Sequence, residues 1–121
     1  MEKNRVLAGL SALAHDMRLD VFRLLVRAGA SGMVAGDIAA ALDVRSNTLS
    51  NNLTILSSAE LIRSEREGRS IRYFARMETM RGMLGFLMED CCGGQPDLCR
   101  PVLDQIACDC LPTLSTESRT L

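Results

Sequence analysis

The sequence predicts a mainly helical α+β fold: about five helices and one two-stranded β-hairpin, in a small domain followed by a tail. Three observations carry this. The chain has 121 residues, room for one domain with a modest core. Apolar residues make up 47% but aromatics only 3%. The core must therefore come from Leu, Ala and Met, which favour helices, whereas barrels and sandwiches call for more aromatic and β-branched residues. Finally, apolar spacing follows the helical period along most of the chain and switches to period two once, around Gly68.

Val6, Leu7, Leu10 and Leu13 mark an amphipathic helix over about residues 3–14. Met17, Val21, Leu24, Leu25 and Ala28 repeat the pattern, and Gly29 supplies a C-terminal stop. Leu19, Phe22 and Val26 widen that face, so this second helix is expected to be central to the core. Ala30-Ser31-Gly32 reads as a turn. Asp37 to Leu42 reads as a short helix, and Asp43-Val44-Arg45 makes a tight connection to the next. Ser46 is the expected N-cap of a helix running to about Ala59.

That helix has an apolar face of Leu49, Leu53 and Leu56. Its other face is Asn47, Thr48, Ser50, Asn51, Thr54 and Ser58, polar yet uncharged. Solvated helix faces normally use Glu and Lys, because Ser, Thr and Asn are poor helix formers. A row of poor formers points to a role other than helix stability. From Leu61 to Arg76 the chain alternates on both sides of Glu67-Gly68-Arg69, a hairpin turn signal. Such a ribbon is too small to stand alone and must pack on the helices. Helical period returns from Met77 to Cys92, with Met80, Leu84, Leu87, Met88 and Cys91 in one stripe and Gly93-Gly94 as the stop. A short helix is expected from Pro101 through Val102, Leu103 and Ile106, and residues 113–121 read as an unstructured polar tail.

The net charge of -1 conceals an uneven distribution. Residues 1–44 are neutral, residues 45–76 carry +3 from six arginines against three glutamates, and residues 77–121 carry -4. A short helix, a tight turn, a helix with an uncharged polar face and a basic hairpin follow one another, which is helix-turn-helix organisation. Asn pairs bidentately with adenine in the major groove, and Ser and Thr hydroxyls reach base edges or phosphates. Arg45, Ser46, Asn47, Thr48, Ser50, Asn51, Asn52, Arg69 and Arg72 are the candidate DNA-binding residues. Asn47, Thr48, Ser50, Asn51 and Asn52 are the base or near-base candidates, and Arg45, Arg69 and Arg72 the phosphate candidates. The Gly68 hairpin would then be a wing along the DNA backbone.

Five cysteines with no signal peptide argue against a disulfide framework. Met1-Glu2-Lys3-Asn4-Arg5 leads into a periodic apolar pattern, unlike a secretory signal, so a cytoplasmic protein is expected. No apolar run approaches the about 18 residues of a membrane span. Cys91, Cys92 and Cys99 cluster at one helix end, where Gly93-Gly94 lets the chain turn back. Zinc prefers four ligands with paired spacing. Three soft thiolates with no obvious fourth ligand suit a soft three-coordinate ion such as arsenic(III), as arsenite, or antimony(III). Cys108 and Cys110 are possible accessory thiols. With one His, no paired carboxylates, no phosphate loop and no nucleophile elbow, an enzyme is not expected.

Ala12-Leu13-Ala14-His15-Asp16-Met17-Arg18-Leu19 resembles the opening of the second helix in the ArsR family of winged-helix repressors. Gly36 to Leu42 followed by Ser46 to Leu53 is similar to that family's DNA-reading unit, and Leu61-Ile62-Arg63 with Glu67 to Tyr73 looks like its wing. The resemblance covers about residues 5–92. It implies a homodimeric repressor that leaves operator DNA when its ligand binds. Many arsenic sensors of the family use cysteines in the first helix of the DNA-binding unit. Here positions 34–42 read Val-Ala-Gly-Asp-Ile-Ala-Ala-Ala-Leu, without one. The Cys91 to Cys99 stretch instead resembles a subgroup with its arsenite site at the end of the last helix. The Asp and His pairs of the family's zinc-type site are absent from this helix.

The expectation is a winged helix-turn-helix homodimer that represses an arsenic-resistance operon. Residues 1–92 would bind DNA and dimerise, and residues 93–121 would hold the metalloid-binding loop and tail. The first and last helices are the expected dimer contact, since the Met-rich stripe has too little partner surface within one subunit. The alternatives are a thiol redox sensor on the same scaffold and a small thiol enzyme of arsenate-reductase type. The latter would need a basic phosphate-binding loop beside a cysteine, and none is present.

Overall fold

The computed structural model describes residues 1–88, 100, 101 and 105. The chain divides into two compact units, Met1–Phe86 and Leu87–Leu121. The first carries the fold. Its elements are α1 (Lys3–Leu13), α2 (Asp16–Ala28), a 3-10 turn (Gly29–Ser31), β1 (Met33–Val34), α3 (Ala35–Leu42), α4 (Ser46–Ser58), β2 (Ile62–Glu67), β3 (Ser70–Ala75) and α5 (Met77–Leu87). The expected continuation of the last helix to Cys92 and the polar tail lie outside the described residues. The expected helix from Pro101 lies largely outside them, Pro101 and Gln105 themselves being helical. No described helix is long and apolar enough to cross a membrane.

The core gathers Val21, Phe22 and Leu25 from α2, Ile38 from α3, Leu49, Leu53 and Leu56 from α4, Leu61 and Ile62, and Met83 from α5. Each element thus contributes the stripe its sequence period marks out. Truncating any one of the three α4 leucines to Ala would cost about 2–5 kcal/mol, since each fills space close to the centre. Helix α1 lies against α5 through Gly9, where a Cβ would sit 2.6 Å from the Met83 sulfur.

The sheet differs from the two-stranded ribbon expected. Its order is β1-β3-β2, all antiparallel, with Met33 opposite Tyr73 and Val34 opposite Arg72. Two residues are too short for a period-two signal, which is why β1 was not legible. Gly32 makes this third strand possible. It has φ 61°, and a Cβ there would fall 2.5 Å from the Tyr73 carbonyl oxygen and 2.7 Å from the Phe74 ring. The wing closes on Gly68 and Arg69, with Glu67 opposite Ser70 and φ 63° at Gly68. Positive φ at the first loop position is the arrangement of a type II′ turn, whose twist matches the strands.

Both helices of the helix-turn-helix end in the same way. After α3, Val44 N–H donates to Ala39 O (3.1 Å) and Asp43 N–H to Ala40 O (3.4 Å), with Asp43 at φ 54°. After α4, Leu61 N–H donates to Leu56 O and Glu60 N–H to Ser57 O, both 3.0 Å, with Glu60 at φ 63°. These are Schellman turns, which favour Gly at the left-handed position. A side chain there costs about 1–2 kcal/mol. The N-terminus of α4 also differs from expectation. Arg45, not Ser46, occupies the N-cap position, with no side-chain cap bond, and Ser46 is the first helical residue. Asn47 Oδ1 accepts the Thr48 N–H at 2.8 Å, taking up one of the free donors of the first turn.

Candidate nucleic-acid interface

On α4, Ser46, Asn47, Thr48, Ser50, Asn51 and Thr54 are exposed, while Leu49, Leu53 and Leu56 are buried. Asn47, Ser50, Asn51 and Thr54 fall at helical spacing and form one stripe. Thr54 Oγ1 donates back to Ser50 O at 3.0 Å, so its hydroxyl is already engaged along the helix. The polar face inferred from composition is therefore a real, solvent-facing surface, with one exception.

Asn52 is not part of that surface. It is 4% exposed, and its amide is consumed within the protein. Its Nδ2 donates to Thr48 O (3.0 Å) and the Met17 sulfur (3.1 Å), and its Oδ1 accepts from Arg18 Nη1 (3.2 Å). Arg18 also donates through Nε to Ala12 O at 2.7 Å. One guanidinium thus joins the end of α1, the start of α2 and the middle of α4. Asn52 belongs among the residues that hold α4 in place, not among the base contacts. The signal was available: Asn52 is three residues after Leu49 and four before Leu56, on the inward stripe.

The wing lies across a cleft of about 520 Å³ from α4. Val34, Gly36 and Ala39 form one wall, Asn47 and Ser50 another, and Arg69, Ile71 and Tyr73 the third. Register sorts the wing's charges by face. Arg63, Glu65, Glu67 and Arg72 alternate onto one side, opposite Phe74, Arg72, Ser70 and Glu65 respectively. There they neutralise one another: Arg63 pairs with Glu65, and Arg72 Nε donates to Glu67 Oε2 at 2.8 Å. Arg63 also stacks 4.1 Å above the Phe74 ring.

Arg66 pairs across the ladder with Ile71, on the side that Ile71 and Tyr73 present to the cleft. Among the described residues, the side chains of Arg45, Arg66 and Arg69 have no hydrogen-bond or ion-pair partner, and all three are exposed. Arg72 is different. Beyond Glu67 it donates through Nη1 to Ser31 O at 3.0 Å, so it braces the wing against the turn after α2. Arg72, an expected phosphate candidate, is thus engaged within the protein, whereas Arg66, which composition alone did not single out, is exposed and unpaired near the wing tip.

Cys91, Cys92, Cys99, Cys108 and Cys110 all lie outside the described residues. Among the described residues no group of three His, Cys, Asp or Glu side chains could hold a metal ion.

A helix-turn-helix domain model matches residues 13–65. An ArsR-like transcriptional regulator from Rhodococcus sp. RHA1 superposes with a TM-score of 0.64 at 24% identity, covering 86% of this chain and 93% of its own. The antimony-specific transcriptional repressor AntR is 30% identical, with a TM-score of 0.58 over 72% of this chain and 78% of AntR. The chain belongs to the ArsR family of winged-helix transcriptional regulators. A homodimeric winged helix-turn-helix domain from Mycobacterium bovis, a possible ArsR-family regulator, is 26% identical with a TM-score of 0.59 over 72% of this chain and 81% of its own. No curated protein matches significantly. In this ArsR-family regulator, α3 and α4 are the helix-turn-helix and β2–β3 the wing.

Proposed function

We propose that this ArsR-family regulator is a homodimeric, cytoplasmic repressor that binds operator DNA and is released by arsenite or antimonite. The observation that carries the DNA half of this reading is the shared face of α4 and the wing. Exposed Asn47 and Ser50 line one cleft with the unpaired Arg69, exposed Asn51 lies beside them on α4, and the unpaired Arg66 pairs across the ladder with cleft-lining Ile71, so base readout and phosphate neutralisation have donors on the same side. Arg45, Ser46 and Thr48 flank the start of α4 and complete the contact set.

Dimerisation is supported by apolar surface that one subunit leaves bare. Leu7 and Leu10 on α1 are 51% and 38% exposed, and Leu84 on α5 is 39% exposed. Large exposed leucines on the two helices that also pack through Gly9 and Met83 suit a second copy. The homodimeric Mycobacterium relative points the same way.

The metalloid half rests on thiol count. Cys91, Cys92 and Cys99 supply three soft ligands within nine residues, and the AntR likeness favours a trivalent metalloid. These thiolates would hold arsenic(III) or antimony(III), with Cys108 and Cys110 as accessories. The test is a fluorescent duplex from upstream of the protein's own gene, titrated with arsenite, antimonite and peroxide. Release by the metalloids alone supports the reading. Release by peroxide alone makes the chain a redox sensor, and failure to bind the duplex removes the repressor reading.

A further inference from the structure

The DNA-reading helix α4 ends on a residue its turn does not favour. Glu60 sits in the left-handed region at φ 63°, at the position of a Schellman turn where glycine is preferred. Glycine would make the same two backbone hydrogen bonds and offer the same carbonyl. Only the carboxylate distinguishes the residue, and its partners come from elements distant in the chain. Arg5 on α1 donates through Nη2 to Glu60 Oε1 at 3.3 Å, and Arg76 Nη1, at the entry to α5, lies 3.9 Å from the same oxygen. Arg76 extends the chain of charges to Glu78 at 3.1 Å.

The main chain of this junction is tied to the same helix. Thr79 Oγ1 donates to Glu60 O at 2.6 Å, and Thr79 is 4% exposed. Arg76 N–H donates to Leu61 O at 2.8 Å. The end of α4 is therefore held at four points, two through the carboxylate and two through carbonyls, and the three partner residues, Arg5, Arg76 and Thr79, lie on α1, at the entry to α5 and in its first turn. The carboxylate pairs are about half exposed (side-chain exposures of 46% for Glu60 and 49% for Arg5). Pairs so exposed add little to stability. A strained residue that yields little stability, and whose distinctive contacts all reach other helices, marks a functional constraint.

We infer that Glu60 is a positioning residue that couples the orientation of α4 to the α1–α5 pair. The inference rests on the reading of α4 as the DNA-reading helix and of α1 and α5 as the dimer contact. A dimer engages two half-sites only when both reading helices are set at the right separation and angle. A link from the dimer helices to the end of α4 fixes that setting, and carries any change at α5 to the DNA.

The experiment uses the full chain and two duplexes. One carries two half-sites selected from a random pool by the unmodified protein; the other has one half-site scrambled. Glu60→Gly relieves the left-handed strain and Glu60→Gln keeps it, and both remove the charge. Both variants are expected to fold, with Glu60→Gly melting no lower than the unmodified protein. Both should bind the single half-site within about twofold of normal and lose about tenfold on the paired site, within the usual range of coupling. Amide exchange at Thr79 and Met80 without DNA should quicken in Glu60→Gln. Unchanged affinity for the paired site, or equal loss on both duplexes, overturns the coupling. If the unmodified protein binds both duplexes alike, the dimer reading has failed and the inference falls with it. If Asn51→Ala, run alongside, changes nothing on either duplex, the reading of α4 has failed, again taking the inference with it.

Discussion

Arg18 Nη1 lies 3.2 Å from Asn52 Oδ1, so the start of α2 grips the middle of α4 through a part-buried hydrogen bond whose Asn52 end is closed to solvent. Removing one partner of a buried hydrogen bond leaves the other unsatisfied, which costs about 1–3 kcal/mol. Asn52→Ala is therefore expected to lower stability by that amount and to weaken cognate and random DNA by the same factor. Asn51→Ala, one residue along and exposed, should leave the melting temperature within a degree or two and lose about 1–3 kcal/mol on cognate DNA only. Urea unfolding and paired binding titrations separate the two. A cognate-selective loss in Asn52→Ala would return it to the base contacts.

The wing arginines divide in the same manner. Arg66 and Arg69 have no protein partner among the described residues, so each is free to displace a counterion from a phosphate. Arg66→Ala and Arg69→Ala should each reduce the slope of log affinity against log salt by about one, alike on all sequences. Arg72→Ala should leave that slope near its normal value and loosen the wing, because its donors go to Glu67 and Ser31. A slope change in Arg72→Ala as large as in Arg66→Ala would show that its protein contacts open on binding DNA.

Gly32→Ala should be among the most damaging single substitutions in the chain. It places a Cβ 2.5 Å from a backbone oxygen, at a positive φ, in the junction that lets β1 join β3. The clash partner is main chain and cannot step aside, so a loss of at least about 2 kcal/mol is expected. Gly36→Ala, where a Cβ meets nothing within 4 Å, is the control and should be near neutral or slightly stabilising. Comparable denaturation midpoints for the two variants would show that the sheet can shift to admit the methyl.

The order of elements was legible because it depends on periods that neighbouring residues share. Leu49, Leu53 and Leu56 mark the inner face of α4, and Gly68 marks the wing turn. What escaped depends on contacts across the fold. The two-residue β1 exists only because Gly32 admits Tyr73 and Phe74. Arg66 and Arg72 look alike in sequence, and only strand register separates the free one from the braced one. Glu60 reads as a surface charge until its φ and its partners from α1 and α5 are known.

The thiol set makes its own prediction. Cys91→Ser, Cys92→Ser and Cys99→Ser should each abolish release by arsenite while DNA binding stays within about twofold, since the residues lie outside the helix-turn-helix and an oxygen ligand is too hard to replace a thiolate. Cys108→Ser and Cys110→Ser should respond as the unmodified protein does if they are only accessories. Thiol counting by mass after metalloid binding gives an independent stoichiometry. A normal response from Cys99→Ser would reduce the site to two thiols.

Release should occur without dissociation of the subunits. The apolar surface available on α1 and α5 includes Leu7, Leu10 and Leu84, and exposing it to water would oppose separation at about 25 cal/mol per Å² of apolar area. Metalloid binding to Cys91, Cys92 and Cys99 need supply only a typical coupling of about 1–3 kcal/mol to spoil the spacing of the two reading helices. A coupling of that size is enough to vacate an operator without the subunits having to part. Reciprocity then requires operator DNA to weaken arsenite binding by the same factor that arsenite weakens DNA binding. Sedimentation with saturating arsenite should return the dimer mass, and titrations with and without duplex should return matching factors. A monomer in the presence of arsenite would replace reorientation by dissociation as the means of release, and the paired factors would then vary with protein concentration.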